Sequence, residues 1–227
     1  MVKHLGLIGG IGPAATEQYY RALIDRHARV GTRLELTIVH AEVRELGRNM
    51  ANGDPRQQAE TFAPLIRRSA AAGADAAAVT SMGGHFCIGE LEAISPLPIL
   101  NAIPAVDAAV GERGLTTVGI IGTRTVMATR LYGGISSAAI VLPEGDAFAE
   151  VHQCYTDMAV AARVTEAQRQ TFFAAGRRLC EVQGAEAIVL GGTDLGLAFY
   201  GQDPGFPVID CVEIHVDALY QWSVSEA

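Results

Sequence analysis

Ala72-Gly73-Ala74-Asp75-Ala76 leads an apolar run into Thr80-Ser81-Met82-Gly83-Gly84-His85, and Gln183-Gly184-Ala185-Glu186-Ala187 leads another into Leu190-Gly191-Gly192-Thr193-Asp194-Leu195. Gly73 and Gly184 stand 111 positions apart in a chain of 227. The openings repeat as well: Leu5-Gly6-Leu7-Ile8-Gly9 is echoed by Val118-Gly119-Ile120-Ile121-Gly122, offset by 113. Self-similarity at half the chain length predicts an internal duplication, and so two similar half-domains related by a pseudo-twofold axis. Each half is expected to send its loops into a shared cleft, and those loops are expected to carry the function.

Outward from these loops, apolar runs alternate with amphipathic helical stretches. The predicted strands are Val2–Ile8, Leu34–His40, Ala76–Thr80, Ile99–Asn101, Thr117–Ile121, Ala139–Leu142, Ala187–Leu190 and Val208–Asp210. Most are continuously apolar rather than alternating, the mark of parallel strands buried on both faces. Helical crossovers between them make the fold class α/β, two Rossmann-like halves with parallel sheets. Thr16–Val30 has Tyr19, Tyr20, Leu23 and Ile24 at helical spacing, with Gly31 as the stop. Arg56–Ala72 and Thr165–Gln183 read alike, and Thr165-Glu166-Ala167-Gln168 has the layout of an N-cap with a Gln at the third helical position. Pro207-Val208-Ile209-Asp210 repeats Pro98-Ile99-Leu100-Asn101, so the last helix is expected to return to one of the halves. The boundaries drawn are 1–104 plus 210–227 for the first half-domain and 105–209 for the second.

Apolar residues make up 49% and charged residues 19%, a globular composition. A net charge of −8 without a basic stripe argues against nucleic acid as a partner. It does not argue against an acidic small molecule, which local arginines and helix N-termini would hold. No apolar run is long enough to span a bilayer, and Met1-Val2-Lys3-His4 runs into a strand without a signal-peptide layout. Cys87, Cys154, Cys180 and Cys211 have neither CxxC spacing nor disulfide-scaffold density. The chain reads as cytoplasmic with reduced thiols. Neither His152 nor Cys154 has companions at metal-ligand spacing, so no metal is expected.

Gly9-Gly10-Ile11-Gly12-Pro13-Ala14-Ala15-Thr16 closes the first strand and opens the first helix. Glycines let a ligand approach the backbone, and free amides at a helix start favour an anion. Three readings stand. The run fits GxGxxA from Gly10, a dinucleotide pattern, although Pro13 removes an amide where a pyrophosphate needs one. A substrate carboxylate at Gly10 and Gly12 is the second reading. A structural tight turn is the third.

Taken together, these segments resemble the aspartate/glutamate racemase family, within the Asp/Glu/hydantoin racemase superfamily. The resemblance covers essentially the whole chain. It rests on Gly9–Thr16, on Thr80–His85, on Gly122-Thr123-Arg124 with Tyr132, on Leu190–Leu195, and on Asp210 and His215. It implies a cofactor-independent enzyme, commonly a dimer, that inverts an acidic amino acid or related acid. Two cysteines, one per half, do this by removing a proton on one face of the α-carbon and delivering one on the other. The family pattern puts those cysteines at Ser81 and Gly192, so the resemblance implies an atypical member lacking both.

The roles that follow are these. Ser81, with a hydroxyl far less acidic than a thiol, suits hydrogen-bond donation. Thr80, Ser81, the amides of Gly83 and Gly84, and Thr193 form a candidate anion-holding set. Gly192 makes room for a larger substrate. His85, a family match, and Cys87, near a helix N-terminus that would lower a thiol's pKa, are candidate proton carriers; each is also readable as packing, Cys87 more readily so. Asp194 is expected to orient His215 or a loop amide, and His215 to line the site. Arg124, beside Thr123, leads Arg44 and Arg48 as a two-pronged carboxylate grip. The reaction is racemisation or isomerisation. The alternatives are decarboxylation or elimination, as in the arylmalonate decarboxylases of the same superfamily, or carboxylate binding without catalysis.

Overall fold

The apolar run at the start of the chain becomes β1 (His4–Gly9), buried over all but its first residue. It is buried because β2 (Glu35–His40) and β3 (Ala76–Val79) pair with it in parallel on either side, in the order β2-β1-β3. Between these strands run α1 (Pro13–Val30), α2 (Val43–Ala51) and α3 (Pro55–Ala71), the last packed on β1 and β2. A 3₁₀ turn over Gly83–Cys87 then leads into α4 (Ile88–Ile94) and α5 (Ala102–Glu112). The core of this part is Ile8, Phe62, Ile66, Val79 and Leu91 with their neighbours.

The second sheet repeats the pattern with an added strand. Its elements are β4 (Thr117–Gly122), α6 (Arg124–Ala128), β5 (Ala139–Val141), α7 (Asp146–Ala161), α8 (Glu166–Gln183), β6 (Ala187–Gly191), α9 (Gly196–Phe199) and β7 (Val208–Asp210). All pairings are parallel, in the order β5-β4-β6-β7. Helix α10 (Cys211–Val224) ends the chain. This computed structural model describes residues 2–225. It divides into one unit up to Ala102 together with His215 onward, and a second unit, Ile103–Ile214.

The duplication extends to single hydrogen bonds. In the first unit the Asp75 amide donates to the His4 carbonyl (2.8 Å) and the Asp75 carboxylate accepts from the His4 amide (2.7 Å). In the second, the Glu186 amide donates to the Thr117 carbonyl (2.9 Å) and its carboxylate accepts from the Thr116 and Thr117 amides (2.6 and 3.0 Å). The predicted capping box forms: Thr165 Oγ1 accepts from the Gln168 amide (3.2 Å) and Gln168 Oε1 from the Thr165 amide (2.9 Å). One predicted strand is corrected. Ile99–Asn101 is reduced to a single bridge, Ala77 to Ile99, because the chain turns into α5 at Ala102.

Candidate functional site

Both units place a loop at the carboxyl end of their central strands, where open α/β sheets bind ligands. In the first unit β1 runs into Gly10 and Gly12, with φ of 85° and 116°. A side chain at Gly10 would strike the His40 ring and stand 2.7 Å from the Ala41 carbonyl oxygen. The loop is closed by hydroxyls. The Gly10 amide donates to Thr16 Oγ1 (3.0 Å), which reaches the Gly12 carbonyl (3.1 Å) and lies 3.2 Å from Thr80 Oγ1. Thr80 in turn donates to the Ile8 carbonyl (2.9 Å). The expectation that the Gly10 amide and the Thr80 hydroxyl meet a substrate is therefore corrected: both are spent on the turn.

Ser81 follows β3 and is 7% exposed. Its Oγ accepts from the Gly84 amide (3.4 Å), and its carbonyl from the same amide (3.1 Å) and from His85 Nδ1 (2.7 Å). A carbonyl only accepts, so Nδ1 of His85 carries the proton and Nε2 receives the Ala102 amide (3.3 Å). Burial pushes this imidazole down to about 4. With both nitrogens occupied and the ring neutral, His85 fixes the Ser81 carbonyl rather than carrying a proton, which corrects its expected role. His215 is equally committed: Nε2 donates to the Leu100 carbonyl (2.9 Å) and Nδ1 accepts from Tyr19 (2.8 Å). Burial and the nearby His85 hold it down to about 3.

Cys87 is a further correction. Its thiol is fully buried in the apolar cluster with Ile8, Phe62 and Leu91 and donates to the Gly84 carbonyl (3.4 Å). Burial, then the charge of Glu90, pushes it up to about 12. The turn preceding Cys87 is 3₁₀ and the thiol faces the core, so burial outweighs any help from a helix N-terminus.

In the second unit the same strand-to-helix junction has a different solution. Thr123 Oγ1 caps α6 by accepting the Val126 amide (3.3 Å). Arg124 is exposed, with its guanidinium 5.7 Å over the Phe148 ring and its amide donated to His152 Nδ1 (3.1 Å). Arg130, Leu131 and Tyr132, at φ of 53°, 54° and 59°, make a left-handed turn closed by Gly133.

The loop after β6 holds Gly192, then buried Thr193 and Asp194. Gly192 does not make room for substrate. A Cβ there would lie 2.7 Å from Cζ and 2.9 Å from Oη of Tyr155, whose ring fills the space. Tyr155, on α7, donates to Asp194 Oδ2 (3.0 Å). Burial, then the Asp194 charge, raises the phenol well above 10, while bonds from the Asp194 amide and the Thr193 hydroxyl pull the other way. Asp194 is itself raised, chiefly by burial. Reasoning from the sequence missed Tyr155, since an aromatic on a helix reads as core. The one available sign was a glycine in a buried polar loop, whose empty side must be filled from elsewhere. A surface groove of about 360 Å³ between α7 and α8, lined by Glu150, Gln170 and Arg178 among others, contains none of these groups. Among the described residues no group of three or more His, Cys, Asp or Glu could hold a metal, and no helix is long and apolar enough to cross a membrane.

Comparison with known proteins fits this architecture. The solved structure of a Yersinia pestis protein, provisionally designated an Asp/Glu racemase, superposes with a TM-score of 0.81 at 25% identity, over 98% of this chain and 100% of that one. An aspartate racemase homologue from Pyrococcus horikoshii OT3 gives 0.78 at 23%, over 99% and 100%. Glutamate racemase from Francisella tularensis subsp. tularensis SCHU S4, solved with D-glutamate, gives 0.64 at 13%, over 97% and 81%. The last two, below 25% identity, speak for the fold alone. The sequence model of Asp/Glu/hydantoin racemases matches residues 8–219. With nearly the whole chain covered and the duplicated sheets in place, the chain belongs to the Asp/Glu/hydantoin racemase family.

Proposed function

We propose that this chain is a cofactor-independent enzyme that acts on a small amino acid or carboxylic acid of the aspartate or glutamate kind, through a stabilised carbanion. The observation that carries the reading is the placement of Ser81. It stands at the carboxyl end of β3 with its carbonyl pinned by His85, and its hydroxyl donates to no acceptor among the described residues. A fixed hydroxyl of this kind complements charge that develops on a substrate oxygen, and it needs no reorganisation when the charge appears. His85 acts through Ser81 as a positioning residue. In the second unit the exposed Arg124 guanidinium is the candidate carboxylate grip.

Isomerisation needs a base to open the reaction. Loss of carbon dioxide or elimination of a leaving group needs only an acid to close it. Ser81 and Tyr155 both keep their protons near neutral pH, and this favours decarboxylation or elimination as the second reading within the same class. One experiment separates the possibilities. The protein is incubated in D₂O with the two enantiomers of aspartate and glutamate and with 2-substituted malonates, and followed by NMR. Deuterium entering the α-position of an amino acid supports isomerase chemistry. Loss of one carboxylate from a malonate with uptake of one deuterium supports decarboxylation. Ser81→Ala then lowers the rate by about 10²-fold. Tight binding of one acid without exchange or loss favours a non-catalytic carboxylate binder and sinks the proposal.

A further inference from the structure

We infer that Tyr155 stands in for the side chain that position 192 lacks, and that its hydroxyl is the proton donor of the second unit. The inference rests on the function proposed above. Its own support is geometric. A Cβ built on Gly192 falls against the Tyr155 ring, with the phenol oxygen 2.9 Å away, so a hydroxyl occupies the region that a side chain at 192 would enter. Two polar groups meet there, one from the loop and one from the helix. The phenol donates to Asp194 Oδ2 at 3.0 Å, with buried Thr193 beside Asp194 in the loop. Thr193, Asp194 and Tyr155 are all buried, at 3%, 7% and 8% exposure. Packing alone does not call for this arrangement, since a phenylalanine fills the same volume without burying an oxygen and a carboxylate that must be satisfied.

The step balances without any cofactor. The phenol proton leaves Asp194 Oδ2 for the carbanion pair on the α-carbon, a C–H bond forms as the O–H bond breaks, and the tyrosinate left behind is reprotonated from water. Because the resting phenol holds its proton, the second unit delivers protons and does not remove them. Protonation from a single side then makes the product one enantiomer rather than a mixture.

The test uses the whole protein and two measurements. The first is the melting temperature. Gly192→Cys is expected to lower it by about 5 °C, because the new side chain meets the ring. In a Tyr155→Ala background the same substitution is expected to be close to neutral, whereas Ser81→Cys is close to neutral in either background. If Gly192→Cys is tolerated with Tyr155 present, the ring does not occupy the site and the inference falls. The second measurement is the D₂O assay, with the same amino acids and 2-substituted malonates. Tyr155→Phe keeps the ring and is expected to lower deuterium delivery by about 10²- to 10⁴-fold, with a melting temperature lowered by a few degrees at most because Asp194 loses its donor. Tyr155→Ala with Gly192→Cys is expected to restore part of it through the thiol. A wild type that converts nothing overturns the proposed function and the donor role with it. A wild type that converts substrate while Tyr155→Phe runs at full rate overturns the donor role alone.

Discussion

Ser81 and Gly192 occupy the same place in two copies of one design. Each follows a buried parallel strand, and each opens a 3₁₀ turn whose closing bond is the same: Gly84 amide to Ser81 carbonyl, and Leu195 amide to Gly192 carbonyl, both 3.1 Å. The backbone has been kept while the side-chain chemistry has separated. The first copy carries its own hydroxyl and fixes it with a neutral imidazole from the same turn. The second carries nothing and receives a hydroxyl from a helix 37 residues earlier in the chain. The strand-to-helix junctions differ in the same manner, with a glycine turn at Gly10 and a threonine cap at Thr123. A duplicated fold preserves where a group must stand more strictly than which residue supplies it.

The sharpest way to test this comparison is acid. His85 and His215 lie in the first unit, at about 4 and about 3 against an ordinary 6.5. Between those values the unfolded chain binds protons that the folded unit refuses. Their contribution is therefore complete above about pH 6.5 and falls as the pH drops, by about 4 kcal/mol for the pair between pH 7 and 5. Buried Asp194 and Asp210 in the second unit have the opposite sign. Their carboxyls are raised by burial, so the folded state gains from protonation as the pH falls. Hydrogen exchange at pH 7 and 5, corrected for intrinsic rates, should show protection lost mainly in the first unit. Equal loss in both would break the contrast.

Next in size is a pair of glycines. Gly10→Ala combines a left-handed backbone with a collision against His40 and Ala41 and is expected to cost about 3 kcal/mol. Gly184→Ala, at φ 75° with open space around it, should cost about 1 kcal/mol. Urea midpoints decide it, and similar costs would mean that the Gly10 turn is not tight. Smaller again, Thr80→Val removes one of two donors to the Ile8 carbonyl and keeps the amide bond at 3.1 Å, for about 1 kcal/mol. Thr123→Val removes the α6 cap, for about 1 kcal/mol. The smallest stability effect belongs to Arg124→Ala, within about 0.5 kcal/mol. If Arg124 attracts substrate, KM rises while the melting curve stays put; an unchanged KM removes it from the site.

The α/β class and parallel sheets were legible because continuous apolar runs have few other uses. The order of elements and the capping box at Thr165 were legible because they depend on neighbours in sequence. What escaped depends on neighbours in space. Ile99–Asn101 looked like a strand, and only the arrival of α5 limits it to one bridge. Cys87 looked like a thiol at a helix start, and only the core around it decides that it keeps its proton. Thr80 and His85 looked like groups offered to a substrate. Whether a hydroxyl or an imidazole is free depends on an acceptor contributed by Ile8 and a donor contributed by Ala102, which no spacing rule announces.

By itself the sequence determined the duplicated α/β layout, the family, and the two loop positions at which chemistry is expected, since these are written in periodicity and in residues close together along the chain. Only the tertiary structure decided which polar groups are spent and which tyrosine fills the empty side of Gly192. A proton's availability is set by burial and by the partners around it, and folding brings those partners from distant parts of the chain.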